Sequence, residues 1–385
     1  MTQSPREVYI ADTAVVTALG DSLEASWRRL CGGETAIRPV RRFSTERLDY
    51  HNAACMGDLD EPPQSGENRV SALTRRALEQ LEPVPSEAFV IWTGVKGSAE
   101  FVEGNVGRKK ETERGEMPRR PVHFRRMVCR SLGLPAESGM ELNAACAAST
   151  VGLAVGARMI ESGERNSVLV CAADIVSRFT FMGFSALKAL SPTTTRPFDA
   201  ERDGLSLGDG AAAILMAGRA FLEREGREAL ARLTGWGIAN DANHITGPAR
   251  DGCGLIQAIR SALEQAGREP DAIEAFCAHG TGTPYSDAME LTALESVFGD
   301  RRFPVFSVKG AVGHTLGAAG AAEAAVCVRA LQEGIVPATC GFRRGEERTA
   351  GRVAPKAQAF AGNNILTTNS GFGGVNAALV IERCR

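Results

Sequence analysis

The sequence predicts an α/β protein made of two similar halves. Three observations carry this. Short apolar strands alternate with helices along the chain. Two helices rich in Ala and Gly, one in each half, follow directly on a strand. The grammar of the first half recurs in the second, with the charged stretch "GRAFLEREGREALARLTG" at the join. The halves meet near residue 225 and are expected to be residues 1–225 and 226–385.

In the first half, "EVYIADTAVVTALG" reads as a strand running into a loop. "DSLEASWRRLCGG" follows as a helix with an Asp or Ser cap and a glycine stop. "SEAFVIWTG", "GMELNAA" and "NSVLVCAADIVS" are apolar and β-rich, hence strands. Between the last two lies "CAASTVGLAVGARMIESGE", a helix whose small residues suit tight packing on all sides. In the second half "IEAFCAHG" is a strand, "SDAMELTALESVFG" a helix and "FPVFSVKG" a strand. "HTLGAAGAAEAAVCVRALQEG" is the second small-residue helix, predicted to begin at His314. "NNILTTNSGFGGVNAALVIE" gives two strands joined by a glycine-rich turn. Residues 101–131 differ from the rest. From Gly107 to Arg130 there are nine basic and three acidic residues, and Pro118 and Pro121 argue against one long helix. A partly extended surface loop is expected there.

Of the 385 residues 44% are hydrophobic and 23% charged, so the chain can bury a large core. The net charge of −2 gives no global argument for nucleic-acid binding. Ten cysteines are scattered without a CxxC pair, several inside apolar runs such as "SVLVCAAD". That pattern fits reduced, buried thiols rather than a disulfide frame, a zinc site or any other metal site. The N-terminus lacks a signal-peptide apolar core, and no apolar run is long enough to cross a bilayer, so a cytoplasmic protein without membrane contact is expected.

Cys146 sits in "LNAACAAST", at the junction of a predicted strand and helix. Either it is buried filler, or the positive end of the helix is there to favour a thiolate. His279 follows the strand "IEAFCA", at the sheet rim where α/β sites form. Gly280 and Gly282 permit close backbone approach beside it, and Thr281 and Thr283 supply hydroxyls. His314 follows "SVKGAVG", five residues after Lys309. Two of only five histidines at loop-rimmed strand ends are either site residues or hydrogen-bonded structural ones.

Together these segments resemble the β-ketoacyl-acyl-carrier-protein synthases, the elongating condensing enzymes of fatty acid and polyketide synthesis. "ACAAST" resembles the nucleophile motif. "AHGTGTPYSDAMEL" and "SVKGAVGHTLGAAG" resemble the two histidine motifs, in the family's order. "TTRPFDAERDGLSLGDGAA" resembles a further family segment, with Asp209 where Glu is usual. "NDANHITGP" and "NSGFGGVNAALV" match the remaining two. The resemblance implies the thiolase fold, with duplicated halves in a five-layer αβαβα sandwich, the first half carrying the nucleophile and the second the two histidines.

It also implies roles. Cys146 takes an acyl group as a thioester, and the backbone N–H groups of Cys146 and Phe372 hold the oxyanion. His279 and His314 stabilise the enolate formed when malonyl thioester loses carbon dioxide. Lys309 pairs with Glu323 on the following helix, and Asp287 supports the site. Phe372, between Gly371 and Gly373, gates the acyl pocket. Thr281 and Thr283 bind the malonyl or pantetheine part. Arg69, Arg75 and Arg76, in the amphipathic stretch "ENRVSALTRRALEQL", dock the acidic acyl carrier protein, with the basic segment 108–130 as the other candidate. No cofactor is implied beyond the phosphopantetheine arm that carries the substrates. The expected assembly is a homodimer, or a heterodimer with a ketosynthase-like partner. The glycine-rich C-terminal loop lacks the second cysteine of thiolases, and His314 stands where starter enzymes have Asn. Both features favour decarboxylative elongation over thiolase and starter-enzyme chemistry, with acyl transfer without condensation, on the same fold, as an alternative. Cys277 stands where the family often has Asn, near a bound monovalent cation in some members.

Overall fold

The computed structural model describes residues 6–64, 67–95, 97, 99, 103 and 122–384. Its frame is one ten-stranded sheet. In chain order the strands are β1 (Val8–Thr17), β2 (Phe89–Thr93), β3 (Gly139–Leu142), β4 (Ser167–Asp174), β5 (Gly210–Gly218), β6 (Ala231–Asn240), β7 (Ala275–Cys277), β8 (Val305–Phe306), β9 (Asn364–Gly371) and β10 (Val375–Arg383). One side runs β1-β5-β4-β2-β3, the other β6-β10-β9-β7-β8. The directions match as well. On each side the first two pairings are antiparallel and the last two parallel. The two sides join only through Tyr9↔Arg232 and Ile10↔Ala231, between β1 and β6. The strand order thus repeats itself, as the recurring sequence grammar predicts.

The helices are α1 (Leu23–Cys31), α2 (Arg69–Leu78), α3 (Val122–Ser131), α4 (Ala148–Glu161), α5 (Arg178–Ala186), α6 (Arg219–Glu225), α7 (Cys253–Ala266), α8 (Pro284–Phe298), α9 (Lys309–Val312) and α10 (Ala319–Glu333). The two small-residue helices, α4 and α10, form the middle layer and pack on each other and on both sides of the sheet. Their composition explains this. Gly156 lies against Val168 and Met216 so closely that a Cβ would come within 2.9 Å of Val168 Cγ1. Helices α2 and α3 cover the outer face of the first half, and α7 and α8 that of the second, each over its own apolar cluster. The result is five layers, helix–sheet–helix–sheet–helix.

Local signals stop and start these helices where the sequence places them. The Ser22 hydroxyl accepts from the Ala25 N–H at 3.1 Å and caps α1. Removing such a cap costs about 1 kcal/mol. Gly267 (φ 60°) and Gly334 (φ 67°) end α7 and α10 in the left-handed region that glycine adopts without strain.

Two expectations need correction. The segment from residue 122 onward is a helix, α3, not an extended loop. It starts at Val122 and buries Phe124, Val128 and Cys129 in the apolar cluster of the first half, an i, i+4 stripe that only a helix brings to one face. Residues 108–121 of that basic segment lie outside the described residues. His314 does not begin a helix. It follows the short helix α9 and precedes a 3₁₀ turn at Leu316–Ala318, and α10 starts only at Ala319.

Candidate active site

Cys146 lies in the tight turn between β3 and α4. Ala145 adopts φ 50°, and Ala147 is the first capping residue of α4. The thiol is 6% exposed. The turn is tight because Gly371 of β9 lies against it. A Cβ there would stand 2.8 Å from Ala144 O and 3.2 Å from Cys146 N. The hairpin Gly371–Gly374 is therefore pressed onto the Cys146 turn, and only glycine fits at its first position. Phe372 follows, stacked on Phe184 of α5 with ring centroids 5.5 Å apart.

His279 and His314 reach the same place from the other half. Their rings meet edge to face at 5.2 Å. His279 sits at the end of β7, where Glu290 of α8 accepts the N–H groups of His279 (2.7 Å) and Gly280 (2.6 Å). Asp287, one turn earlier on α8, accepts from Gly282 at 3.0 Å and from Phe198 at 2.7 Å. Two buried carboxyls thus hold the loop 279–283 from behind. The Thr281 and Thr283 hydroxyls lie 3.0 Å apart on its cavity side. His314 is fixed through its backbone, donating to Ser206 O at 2.7 Å and accepting from Gly208 N at 3.0 Å.

Behind the histidines is a buried ion pair. Lys309 Nζ donates to Glu323, both 1% exposed. Glu323 also accepts from the Asn369 amide at 2.8 Å. Asn369 is within 3.1 Å of His279 Nδ1, and its Oδ1 takes the Thr150 hydroxyl.

The electrostatics follow from this burial. Desolvation, the Lys309 charge and the neighbouring His314 hold His279 well below its ordinary value. Desolvation and Lys309 do the same to His314. Both rings are therefore neutral at pH 7. Burial also raises the Glu290 carboxyl to about 8 and the Asp287 carboxyl to about 6.

A cavity of about 460 Å³ brings these groups together. Cys146, His279, His314, Thr281, Thr283, Gly371 and Phe372 line it, with Tyr285, Ile245's neighbours His244 and Thr246, and Leu187 nearer the exterior. Lys309, Glu323 and Asp287 stand behind that wall and act on it through others. Gly373 is in the hairpin at φ 86°, outside the lining. The three arginines are elsewhere, on α2. Arg69 donates to the carbonyls of Leu59 (2.5 Å) and Asp60 (2.8 Å). Arg75 pairs with Glu67 and Glu79, and Arg76 with Asp58 at 2.5 Å.

Sequence reasoning missed Asn369, Glu290 and Thr150. All three lie inside the quoted motifs, but each faces a partner more than 70 residues away or a backbone N–H, so no local spacing signals it. Cys277 does not line this cavity. It is buried, and its contact with Cys327, one turn beyond Glu323, is a hydrogen bond between free thiols.

The family follows from the comparisons. Residues 131–220 match the N-terminal domain of the β-ketoacyl synthases and residues 230–343 their C-terminal domain. The chain belongs to this family. It is 30% identical to 3-oxoacyl-[acyl-carrier-protein] synthase 2 of Rhizobium meliloti, over 98% of this chain and 99% of that one. It is 28% identical to the mitochondrial 3-oxoacyl-[acyl-carrier-protein] synthase of Arabidopsis thaliana, over 98% and 93%. Among solved structures, the ishigamide ketosynthase/chain length factor superposes with a TM-score of 0.88 at 27% identity, covering 99% of this chain and all of that one. A ketosynthase in complex with its chain length factor from Xenorhabdus doucetiae gives 0.81 at 26% identity, covering 98% of each. The β-ketoacyl synthase fold is the thiolase sandwich described above. Among the described residues, no helix is long and apolar enough to cross a membrane.

Proposed function

We propose that this β-ketoacyl synthase joins an acyl group held on Cys146 to malonyl-acyl carrier protein, with loss of carbon dioxide, giving a β-ketoacyl carrier protein. One observation carries the reading. A thiol at a helix start and two neutral imidazoles line the same cavity, with a buried Lys309–Glu323 pair behind them.

The first step is transfer of the acyl group from carrier protein to the Cys146 sulfur, with the pantetheine thiol leaving. The backbone N–H groups of Cys146 and Phe372 stabilise the oxyanion, and the close seat of Gly371 on the Cys146 turn supports that pairing. In the second step malonyl thioester enters on the side of Thr281 and Thr283. His279 and His314 donate to its carbonyl oxygen while the bond to the carboxylate breaks. The electron pair left behind becomes the enolate. A neutral imidazole N–H suits this role, since it stabilises developing charge without first binding the substrate carboxylate. The enolate carbon then attacks the acyl thioester and the Cys146 sulfur leaves. Phe372, stacked on Phe184 between cavity and acyl side, is the gate that moves when Cys146 is acylated.

The carrier protein docks through basic surface, with Arg75 and Arg76 of α2 as the candidates. Arg69 is bound up in carbonyl contacts and holds the α2 entry instead. The chain assembles as a homodimer. The second reading is the catalytic subunit of a ketosynthase/chain-length-factor heterodimer, supported by the solved complexes it resembles. Incubation with a panel of acyl carrier proteins, followed by mass spectrometry of the Cys146 peptide, tests the reading. An acyl adduct on Cys146 and condensation by the isolated chain support it. Acylation without condensation until a second subunit is added selects the heterodimer. No adduct on Cys146 overturns both.

A further inference from the structure

We infer that Asn369 is a positioning residue that sets which nitrogen of His279 carries the proton, fixing His279 as an Nε2–H donor toward the cavity. The inference rests on the function proposed above, but its geometry stands alone.

Asn369 is two residues before Gly371 on β9, and its amide touches three other elements. Its nitrogen lies 2.8 Å from Glu323 Oε2 on α10 and 3.1 Å from His279 Nδ1 at the end of β7. Its oxygen takes the hydroxyl of Thr150, four residues after the nucleophile on α4. These partners leave the amide one orientation. A carboxylate ion-paired with Lys309 offers only acceptors, and a hydroxyl can donate, so nitrogen must face Glu323 and oxygen Thr150. The second N–H of the same nitrogen then points at His279 Nδ1. That nitrogen is therefore an acceptor, and a neutral ring must hold its single proton on Nε2.

Space around the amide is shaped to this bond set. A Cβ on Gly320 would stand 1.9 Å from Thr150 Oγ1 and 2.7 Å from Asn369 Oδ1. Glycine at the start of α10 lets the two middle helices close until the hydroxyl reaches the amide. Asn369 thus links the nucleophile helix, the Lys309–Glu323 pair and a cavity-lining imidazole, and it leads directly into the Phe372 hairpin.

The variant Asn369→Asp keeps the shape and removes the donor. Its oxygen then needs a proton from Nδ1, so the neutral ring carries Nδ1–H and presents a bare Nε2. At lower pH the ring takes a second proton and regains Nε2–H. The titratable and charged groups around His279 are Lys309 on α9, His314 on the loop before α10, Glu323 on α10, Glu290 behind its backbone and Cys146 across the cavity. All of them persist in the variant, and the new carboxyl, in the place of an amide 2.8 Å from Glu323, shares one proton with Glu323, which leaves the oxygen facing Nδ1 as an acceptor.

The test uses the full chain with ¹⁵N-labelled histidines, reading imidazole tautomers by NMR, beside malonyl-carrier decarboxylation followed from pH 6 to pH 8. The wild type is expected to show Nε2–H at His279. In N369D the signal changes to Nδ1–H, and kcat at pH 8 falls by roughly 10²-fold or more, as for a lost oxyanion donor or a wrong tautomer, with KM changing less. Part of the rate returns toward pH 6. Thr150→Val, which removes only the partner of the amide oxygen, keeps the tautomer. An Nδ1–H signal in the wild type overturns the inference whether or not any variant folds. So does N369D retaining Nε2–H, or losing rate equally at every pH together with Cys146 acylation. A wild type with Nε2–H that fails to decarboxylate malonyl carrier protein refutes the proposed function and leaves the tautomer assignment standing.

Discussion

The two halves share one topology, yet equivalent positions do different work. The last parallel pairs are Thr93↔Ala172 between β2 and β4, and Cys277↔Thr367 between β7 and β9. Two residues further on, Val95 and Asp174 correspond to His279 and Asn369. In the first half Asp174 accepts the backbone N–H groups of Val95 and of Gly317, both at 2.9 Å. In the second half Asn369 meets His279 Nδ1 and Thr150 across the middle layer. Each half thus reaches into the other from the same strand position. One uses an acceptor to hold backbone, the other an amide that can donate to an imidazole. Cys146 and His314 form a second equivalent pair, each between the third strand of its half and the middle helix. Around Cys146 the structure is an apolar turn at a helix start. Around His314 it is buried charge, from Lys309 and Glu323. The duplication supplied one cavity with two walls, one carrying a thiol and the other two imidazoles backed by buried charge.

Removing one wall at a time separates their duties. Cys146→Ala should reduce condensation to background while malonyl decarboxylation survives, because the second wall is intact. Condensation at wild-type rate in this variant would sink the division. The reverse cut, His279→Ala or His314→Ala, should lower decarboxylation by about 10²-fold or more while acylation of Cys146 persists. Radiolabelled acyl transfer and carbon dioxide release read the two steps independently.

The charge behind the second wall comes next. Lys309→Ala leaves Glu323 buried without its cation, a change worth roughly 3–5 kcal/mol. Urea denaturation should show the loss, and the added change Glu323→Gln should restore part of it. Because the Lys309 charge helps hold both histidines low, its removal should let both rings take their second proton at higher pH, as an NMR titration of the imidazoles would read.

Glu290 gives a smaller, pH-dependent effect. Its carboxyl rises from 4.5 to about 8 on folding. Between those values the folded chain holds a proton that the unfolded chain has lost, so this group's stability contribution is full below about 4.5 and declines as pH rises toward 8. Glu290→Gln should flatten that decline. Parallel stability curves for the two proteins between pH 5 and pH 8 would show that Glu290 titrates normally.

The smallest structural effect is expected far from both walls. Reversing Arg75 and Arg76 breaks exposed ion pairs worth about 1 kcal/mol or less each. The apparent KM for acyl carrier protein should rise and become less salt-sensitive, while turnover of a small acyl-pantetheine thioester stays unchanged. Equal losses with both substrates would assign the arginines to the fold.

The alternation of strands and helices, the two small-residue helices and the candidate site residues Cys146, His279 and His314 are legible in the sequence. Each depends on local pattern: apolar period, glycine at chain turns, a reactive side chain at a strand end. Lys309 and Glu323 were expected as a pair only from the family resemblance, and the structure joins them. Other features depend on approach between distant segments. The seat of Gly371 on the Cys146 turn, the grip of Glu290 on the His279 loop and the amide of Asn369 between two halves join residues 78 to 225 positions apart, or a carboxyl to a backbone N–H, and no spacing encodes them. Helix α3 escaped for the opposite reason, since its charged residues and the preceding prolines mask a short buried stripe. The sequence by itself determined which groups can react. Tertiary structure decided their protonation, because burial and the field of a neighbouring ammonium exist only after the two halves have closed on each other.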